Sequence, residues 1–296
     1  MKRGIGLLII TSLVQACASH GRVAESGPDH ATLAKQLSAT ERAFSDSAAS
    51  TSAADGMARM FDNTVRLVAG PRIVVGADSA LAMLRTNPLN VANRASWQTA
   101  RVGISADGSH GFSIGYMDVG KDTIASRAKF LAYWERRNGN WKVIAYKRNV
   151  RQPGPLPSAT LAPSLPLGGR STSTSHSEAL ASLRAAEVAF SDSAQRSIDD
   201  AFFYFAAPDA NHFGSPNDVG YITGPSAIRN RNGGAPPPAG VKLAWEISET
   251  IVAPSGDLGV NLGFVTITRP GQPPAQIPFM TVWRRNSEGQ WRFIAE

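Results

Sequence analysis

One ten-residue phrase occurs twice in this chain, and it constrains the fold more than any other feature. Ala39-Thr-Glu-Arg-Ala-Phe-Ser-Asp-Ser-Ala48 returns as Ala185-Ala-Glu-Val-Ala-Phe-Ser-Asp-Ser-Ala194. Later landmarks keep the same order: Gly76 and Gly224, Trp97 and Trp245, Gly108 and Gly256, Gly111 and Gly259, Gly115-Tyr116 and Gly263-Phe264. The segment Trp134 to Trp141 is matched by Trp283 to Trp291. The offset grows only from 146 to 150, as short loop insertions would make it. Self-similarity of this kind means one domain written twice. The copies span 32–150 and 177–296 of the 296 residues. Residues 151–176 hold five prolines and a Ser/Thr run, and they read as a semi-extended linker.

Each copy changes its hydrophobic period part-way along. Leu33, Leu37, Glu41, Phe44 and Ala48 share one helical face, as do Leu180, Leu183, Glu187, Phe190 and Ala194. Short helices follow around Asp55–Phe61 and Asp199–Phe205. A turn at Gly76 or Gly224 leads into a third, with Ser or Asp as caps. The second half of each copy alternates as strands: Ser96–Ser105, Gly111–Val119, Lys129–Arg137 and Trp141–Lys147, against Ala244–Val252, Gly259–Thr268, Phe279–Arg285 and Trp291–Ala295. Helices followed by an antiparallel meander give an α+β class in which one sheet face packs on the helices.

The N-terminus reads as an address. Lys2-Arg3 precedes an apolar run, Gly4–Val14, which is shorter than the roughly 20 residues that a spanning helix needs. Leu13-Val14-Gln15-Ala16-Cys17 resembles a bacterial lipobox, and Cys17 is the single cysteine of the chain. The expectation is a lipoprotein signal peptide at 1–17, lipidation of Cys17 and a tether at 18–31. An ordinary secretory signal with a chance cysteine is the alternative. Ala18 and Ser19 follow the cysteine, with no Asp at the second mature position, so the resemblance implies an outer-membrane lipoprotein facing the periplasm.

Composition closes several function classes. At 43% hydrophobic residues the chain has material for a core. One cysteine excludes an intrachain disulfide. The net charge of +7 is scattered, without the basic and aromatic stripe of a nucleic-acid groove, so no nucleic-acid partner is expected. His20, His30, His110, His176 and His212 fall in no zinc-binding spacing, so neither a metal nor a cofactor is expected. Gly111-Phe-Ser-Ile-Gly115 matches the G-x-S-x-G pattern, but it lies inside a strand pattern rather than on a strand-to-helix turn. Its repeat mate has Asn261 in place of Ser113, so the hydrolase reading is refused.

The helix carrying Glu41 and Phe44, the Gly76-x-x-x-Ala80 turn and the Trp134…Gly139-x-Trp141 hairpin resemble the NTF2-like superfamily, closest to its SnoaL-like and DUF4440-type members. The second copy carries Glu187, Phe190, Gly224, Trp283 and Gly289-x-Trp291 in the same places. The resemblance covers both copies. It implies a curved sheet wrapped on helices to form a cone with one open pocket. Some members use that pocket as isomerases, cyclases, dehydratases or hydrolases, and many others only bind a ligand or partner. Fold alone does not choose among these.

Candidate site residues follow. Glu41 and Glu187 are carboxylates inside an apolar stripe, so each is either a pocket acid or base or a structural group bonded to an indole N–H, an Arg or backbone amides. His212 is a possible proton shuttle with Asp209, Asp218 and Tyr221 as its polar neighbours in sequence; the first copy has no matching histidine. Trp97, Trp245, Tyr116 and Phe264 are strand aromatics that serve either core or pocket wall. Three functions stand open: a non-catalytic envelope lipoprotein binding a small apolar or amphipathic ligand, an isomerase-type enzyme using His212 or a buried Glu, and an assembly module. In the last, the sheets pair as an internal pseudo-dimer or a homodimer. The polar residues of the second copy place the better pocket there.

Overall fold

The structure is a computed structural model describing residues 1, 29–157, 160–167, 175–231 and 239–296. Cys17, the leader and most of the tether lie outside the described residues. The first half contains α1 (His30–Ala48), α2 (Ala53–Ala58), β1 (Phe61–Ala69), β2 (Arg72–Val75), α3 (Ala77–Arg85), α4 (Pro88–Ala92), β3 (Arg94–Ile104), β4 (His110–Gly120), β5 (Ile124–Arg137) and β6 (Asn140–Val150). The second contains α5 (His176–Arg196), α6 (Ile198–Phe205), β7 (Ala206–His212), β8 (Ile222–Thr223), α7 (Pro225–Arg229), β9 (Lys242–Val252), β10 (Leu258–Thr268), β11 (Ala275–Arg285) and β12 (Trp291–Ala295).

Each half builds one six-stranded sheet with the same plan. The orders are β2-β1-β6-β5-β4-β3 and β8-β7-β12-β11-β10-β9. The long strands form the expected antiparallel meander. The sheets are nevertheless mixed, because β1 runs parallel to β6 and β7 parallel to β12. These two strands are broken by register shifts and show no clean alternation, which hid them from a period-2 reading. Phe61 therefore opens a strand rather than ending the second helix.

The repeated phrase has a physical role. α1 and α5 bury the expected stripe, including Leu37 and Glu41 in one and Leu183, Glu187 and Phe190 in the other. The serine after each phenylalanine ties its helix to the sheet: Ser45 Oγ accepts the Trp97 N–H at 2.8 Å, and Ser191 Oγ accepts the Trp245 N–H at 3.0 Å. The third helices are capped by glycine, not by Ser or Asp. Gly76 (φ 95°, ψ 145°) and Gly224 (φ 84°, ψ 154°) adopt a backbone conformation that is essentially confined to glycine.

The two sheets pack on each other. Along β4, Ser113 turns inward to Glu41, so its neighbours Phe112 and Ile114 face the opposite way. They join Leu131, Tyr133 and Ile144 in one cluster with Val260, Leu262, Met280, Val282 and Ile294 of the second half. Polar side chains ring this layer. The Arg101 guanidinium donates to the Asp209 carbonyl (2.6 Å) and to Asn211 Oδ1 (3.0 Å), and pairs with the Asp209 carboxylate. Lys129, fully buried, donates to the carbonyls of Phe213, Asp218 (3.1 Å) and Gly220 (3.1 Å). Tyr221 Oη lies 2.8 Å from the Gly115 carbonyl and 2.6 Å from that of Phe130, and accepts the Gly115 N–H at 3.1 Å.

Part of the linker is docked rather than free. Leu161 and Ser164 donate their N–H groups to Ala100 and Val102, and Ser164 returns a carbonyl to Ile104. β3 is an edge strand, and its open backbone groups give the extended linker a partner that its composition alone does not reveal.

Candidate functional site

The helix stripe and the inner sheet face of each half meet around a buried glutamate. In the second half both carboxylate oxygens of Glu187 are taken. Oε1 accepts the Trp245 indole N–H (2.9 Å); Oε2 accepts the Trp283 indole N–H (2.8 Å) and Asn261 Nδ2 (2.9 Å). Burial pushes its pKa up to about 8, against the pull of these hydrogen bonds. In the first half Glu41 accepts from the Thr99 hydroxyl and from Ser113 Oγ (2.7 Å), and Ser113 accepts the Trp134 indole N–H (2.8 Å). Burial raises Glu41 to about 7. Ser113, the serine of the G-x-S-x-G match, is thus a bridge between an indole and a carboxylate in mid-strand. Trp97 Nε1 has no hydrogen-bond partner among the described residues, whereas its repeat mate Trp245 bonds Glu187.

A cavity of about 170 Å³ lies beside Glu187. Its apolar wall is Ile198, Phe202, Leu243, Trp245, Val265 and Phe279, and its polar groups are Glu187, His212, Arg231 and Glu296. β7 delivers His212 to this cavity. Its Nδ1 accepts the Gly214 N–H at 2.8 Å, so the ring proton sits on Nε2. Nε2 has no hydrogen-bond partner among the described residues. Phe202 meets the ring edge-on at 5.3 Å. Burial, aided by the positive charges of Arg231, Lys147 and Lys129, pushes the imidazole pKa down to about 3.

The other two polar groups are less settled. Glu296 Oε2 is buried without a hydrogen-bond partner among the described residues, and burial raises this carboxyl to about 7 against the pull of Lys147 and Arg231. Arg231 lies over the Phe202 ring at 4.4 Å and pairs with Asp199 at 3.0 Å.

A protonation test follows from this environment. His212 should keep neutral-imidazole chemical shifts from pH 8 down to pH 5. Because its folded pKa is depressed, between about 6.5 and 3 the unfolded chain takes up a proton that the folded chain refuses, so acid weakens the fold through this residue. NMR titration of the ring resonances checks this; a midpoint near 6.5 would contradict it.

The structure separates the residues grouped by sequence proximity. His212, Glu187 and Trp245 share the cavity. Asp209 and Tyr221 belong to the junction between the halves, through Arg101 and the β4–β5 backbone. Asp218 accepts the Ser215 N–H and so closes its own loop. Tyr116 packs on Tyr221 at 5.4 Å, and both line a cleft of about 110 Å³ between the halves. Phe264 lies on the sheet face opposite to its neighbour Val265, which lines the cavity. Trp97 and Glu41 lie in the first-half interior. The first half has the larger cavity, about 560 Å³ against 170 Å³, so size and acid–base lining part company. Among the described residues no cluster of three or more His, Cys, Asp or Glu could hold a metal ion.

Sequence reasoning missed Arg231 and Glu296. Glu296 was within reach: counting on from Trp291 as from Trp141 makes it the repeat mate of Tyr146. Arg231 had no comparable signal, because its loop differs between the copies. Equivalent turn bonds, Gly76 N–H to Val65 and Gly224 N–H to Ala210, make Leu67 the mate of His212. The acid–base lining is therefore particular to the second half.

No family model and no curated protein matches this chain. Solved structures do. A ketosteroid isomerase-like protein from Erwinia carotovora atroseptica is 22% identical, with 40% of this chain and 92% of that one covered and a TM-score of 0.34. An NTF2-like protein of unknown function from Pseudomonas putida is 16% identical over 41% and 86%, with a TM-score of 0.33. A Mycobacterium tuberculosis protein in complex with estradiol-17β-hemisuccinate is 16% identical over 38% and 88%, with a TM-score of 0.30. In the chain itself, each half sets leading helices on a six-stranded sheet and leaves a cavity between them. By that plan the two halves are similar in fold to NTF2-like domains set in tandem.

Proposed function

We propose that the second-half cavity binds a small, mostly apolar molecule carrying one hydrogen-bond acceptor, and that it does so without transforming it. The observation that carries this reading is His212: Nδ1 is occupied, Nε2–H has no partner among the described residues, and six of the ten lining residues are apolar. A preformed apolar pocket with few placed polar groups is the usual form of a small-molecule site. Catalysis is disfavoured because a histidine with a pKa of about 3 is a weak base, and both oxygens of Glu187 are engaged by N–H donors. Glu296, a carboxyl near 7, is the remaining acid or base of the lining, and the lining holds no Ser, Thr, Cys, Lys or Tyr for it to activate.

Acetophenone, a small apolar ketone, is a suitable probe. It should bind the full chain and be recovered unchanged, and His212→Ala should weaken binding about tenfold, the worth of one buried hydrogen bond. Calorimetry with chromatographic recovery checks both. Unchanged affinity in His212→Ala, or conversion of the ketone, would overturn the reading.

The same proposal places the protein in the cell envelope as an outer-membrane lipoprotein facing the periplasm, anchored through Cys17. In this reading the two packed sheets serve as an internal pseudo-dimer. The support for the anchor is the apolar run before a lone cysteine. Cys17→Ser should move the protein from the membrane to the soluble fraction, and mass spectrometry of the native N-terminus should show a lipidated cysteine. An unmodified N-terminus elsewhere would sink this part.

A further inference from the structure

The first half contains a second cavity with a different lining. Its cavity of about 560 Å³ opens between the β1–β2 hairpin and helices α3 and α4. The wall includes Leu67, Val68, Pro71, Met83 and Leu84, and that volume suits a ligand of moderate size. No Asp or Glu is among its lining residues, whereas Arg72 and Arg148 both are.

Arg148 is the informative residue. A guanidinium offers five N–H donors and seeks oxygen acceptors. Here it finds one oxygen, Asn90 Oδ1 at 3.1 Å. Its other contacts are the thioether sulfurs of Met57 (3.5 Å) and Met117 (3.3 Å), which are weak acceptors. No carboxylate lies within ion-pairing distance among the described residues, whereas the buried Arg101, Arg151 and Arg284 each have one. Asn90 is held in place by its own bond to the Leu84 carbonyl at 2.8 Å.

Tyr146 supplies an independent observation. It lines the same cavity, is 1% exposed, and is wedged against Phe61 and Phe130. Its hydroxyl is buried with no hydrogen-bond partner among the described residues, a state that costs free energy unless something fills it. An under-paired cation that lines the cavity, and an orphaned hydroxyl on a tyrosine that lines it too, ask for the same thing: an anionic oxygen attached to an apolar body.

We propose that the first-half cavity binds a monocarboxylate with an apolar body, its carboxylate paired with Arg148 and reached by the Tyr146 hydroxyl. The site is independent of the cavity at His212. It takes an anion, where His212 takes a neutral acceptor.

Decanoate, with decan-1-ol as its uncharged counterpart, tests this on the full chain by calorimetry. Decanoate should bind saturably, with decan-1-ol at least about tenfold weaker, since hydrogen bonds to charged groups exceed neutral ones. Arg148→Met should weaken decanoate by about tenfold or more. Tyr146→Phe should weaken it several-fold while leaving the melting temperature unchanged or higher, because the hydroxyl bonds nothing in the free protein. His212→Ala should leave decanoate affinity unchanged. The proposal is overturned if decanoate fails to bind, if the alcohol binds as well, if both Arg148→Met and Tyr146→Phe keep full affinity, or if His212→Ala removes it. Should Arg148→Met not fold, the comparison of acid with alcohol and the Tyr146→Phe variant still decide.

Discussion

Leu131→Asp should cost the protein about 5 kcal/mol or more and abolish its single cooperative transition. Leu131 lies on β5, on the face turned away from α1, where a lone domain would meet solvent. In this chain it is fully buried, in the layer that joins Phe112, Ile114 and Tyr133 to Val260, Leu262 and Met280 of the other half. An aspartate placed there would carry an unpaired charge into an apolar layer. Leu131→Ala is the milder control and should cost about 2–5 kcal/mol. Thermal and urea unfolding measure both. If the halves were independent, Leu131→Asp would be nearly neutral.

Glu187→Ala should be the most damaging change in the second half, at about 4 kcal/mol. It strands two indole N–H groups and the Asn261 amide, and it enlarges the cavity as well. Glu41→Ala should cost less, about 2–3 kcal/mol, although Glu41 is equally buried. Its partners are the hydroxyls of Thr99 and Ser113, which rotate and find other acceptors, whereas an indole N–H points one way. The difference between the two variants, rather than either value, tests the role assigned to these carboxylates. Equal losses would contradict it.

Much of this architecture was legible because the chain states it twice. The helix stripes, the long strands and the hairpin turns each had two chances to show their period, whereas the tie from the serine of the repeated Phe-Ser to the sheet emerged only in the structure. What stayed hidden depends on contacts between distant segments. β1 and β7 are irregular strands stabilised by a parallel neighbour that follows much later in the chain. The docking of residues 160–167 depends on the open edge of β3.

The candidate site was half legible for a related reason. His212 stood out because its repeat mate is not a histidine. Asp209, Asp218 and Tyr221 were grouped with it by sequence proximity, but the chain turns there between the cavity and the junction. Adjacent residues serve different surfaces: Asn211 meets Arg101, while His212 enters the cavity. Arg148 escaped notice because a single arginine in a strand reads as a solvated charge until its partners are seen.

The central claim is that the second-half cavity holds its ligand through a neutral His212 that donates from Nε2. Nitrogen-15 NMR of histidine-labelled protein, titrated with acetophenone at pH 7, tests it most directly. The account predicts that the His212 imidazole, assigned by its absence from His212→Ala, has a protonated Nε2 and an unprotonated Nδ1, and that its Nε2–H resonance shifts with saturation while the ketone stays intact. His212 protonated on both nitrogens, its resonance unmoved at saturation, or loss of the ketone during the titration would contradict it.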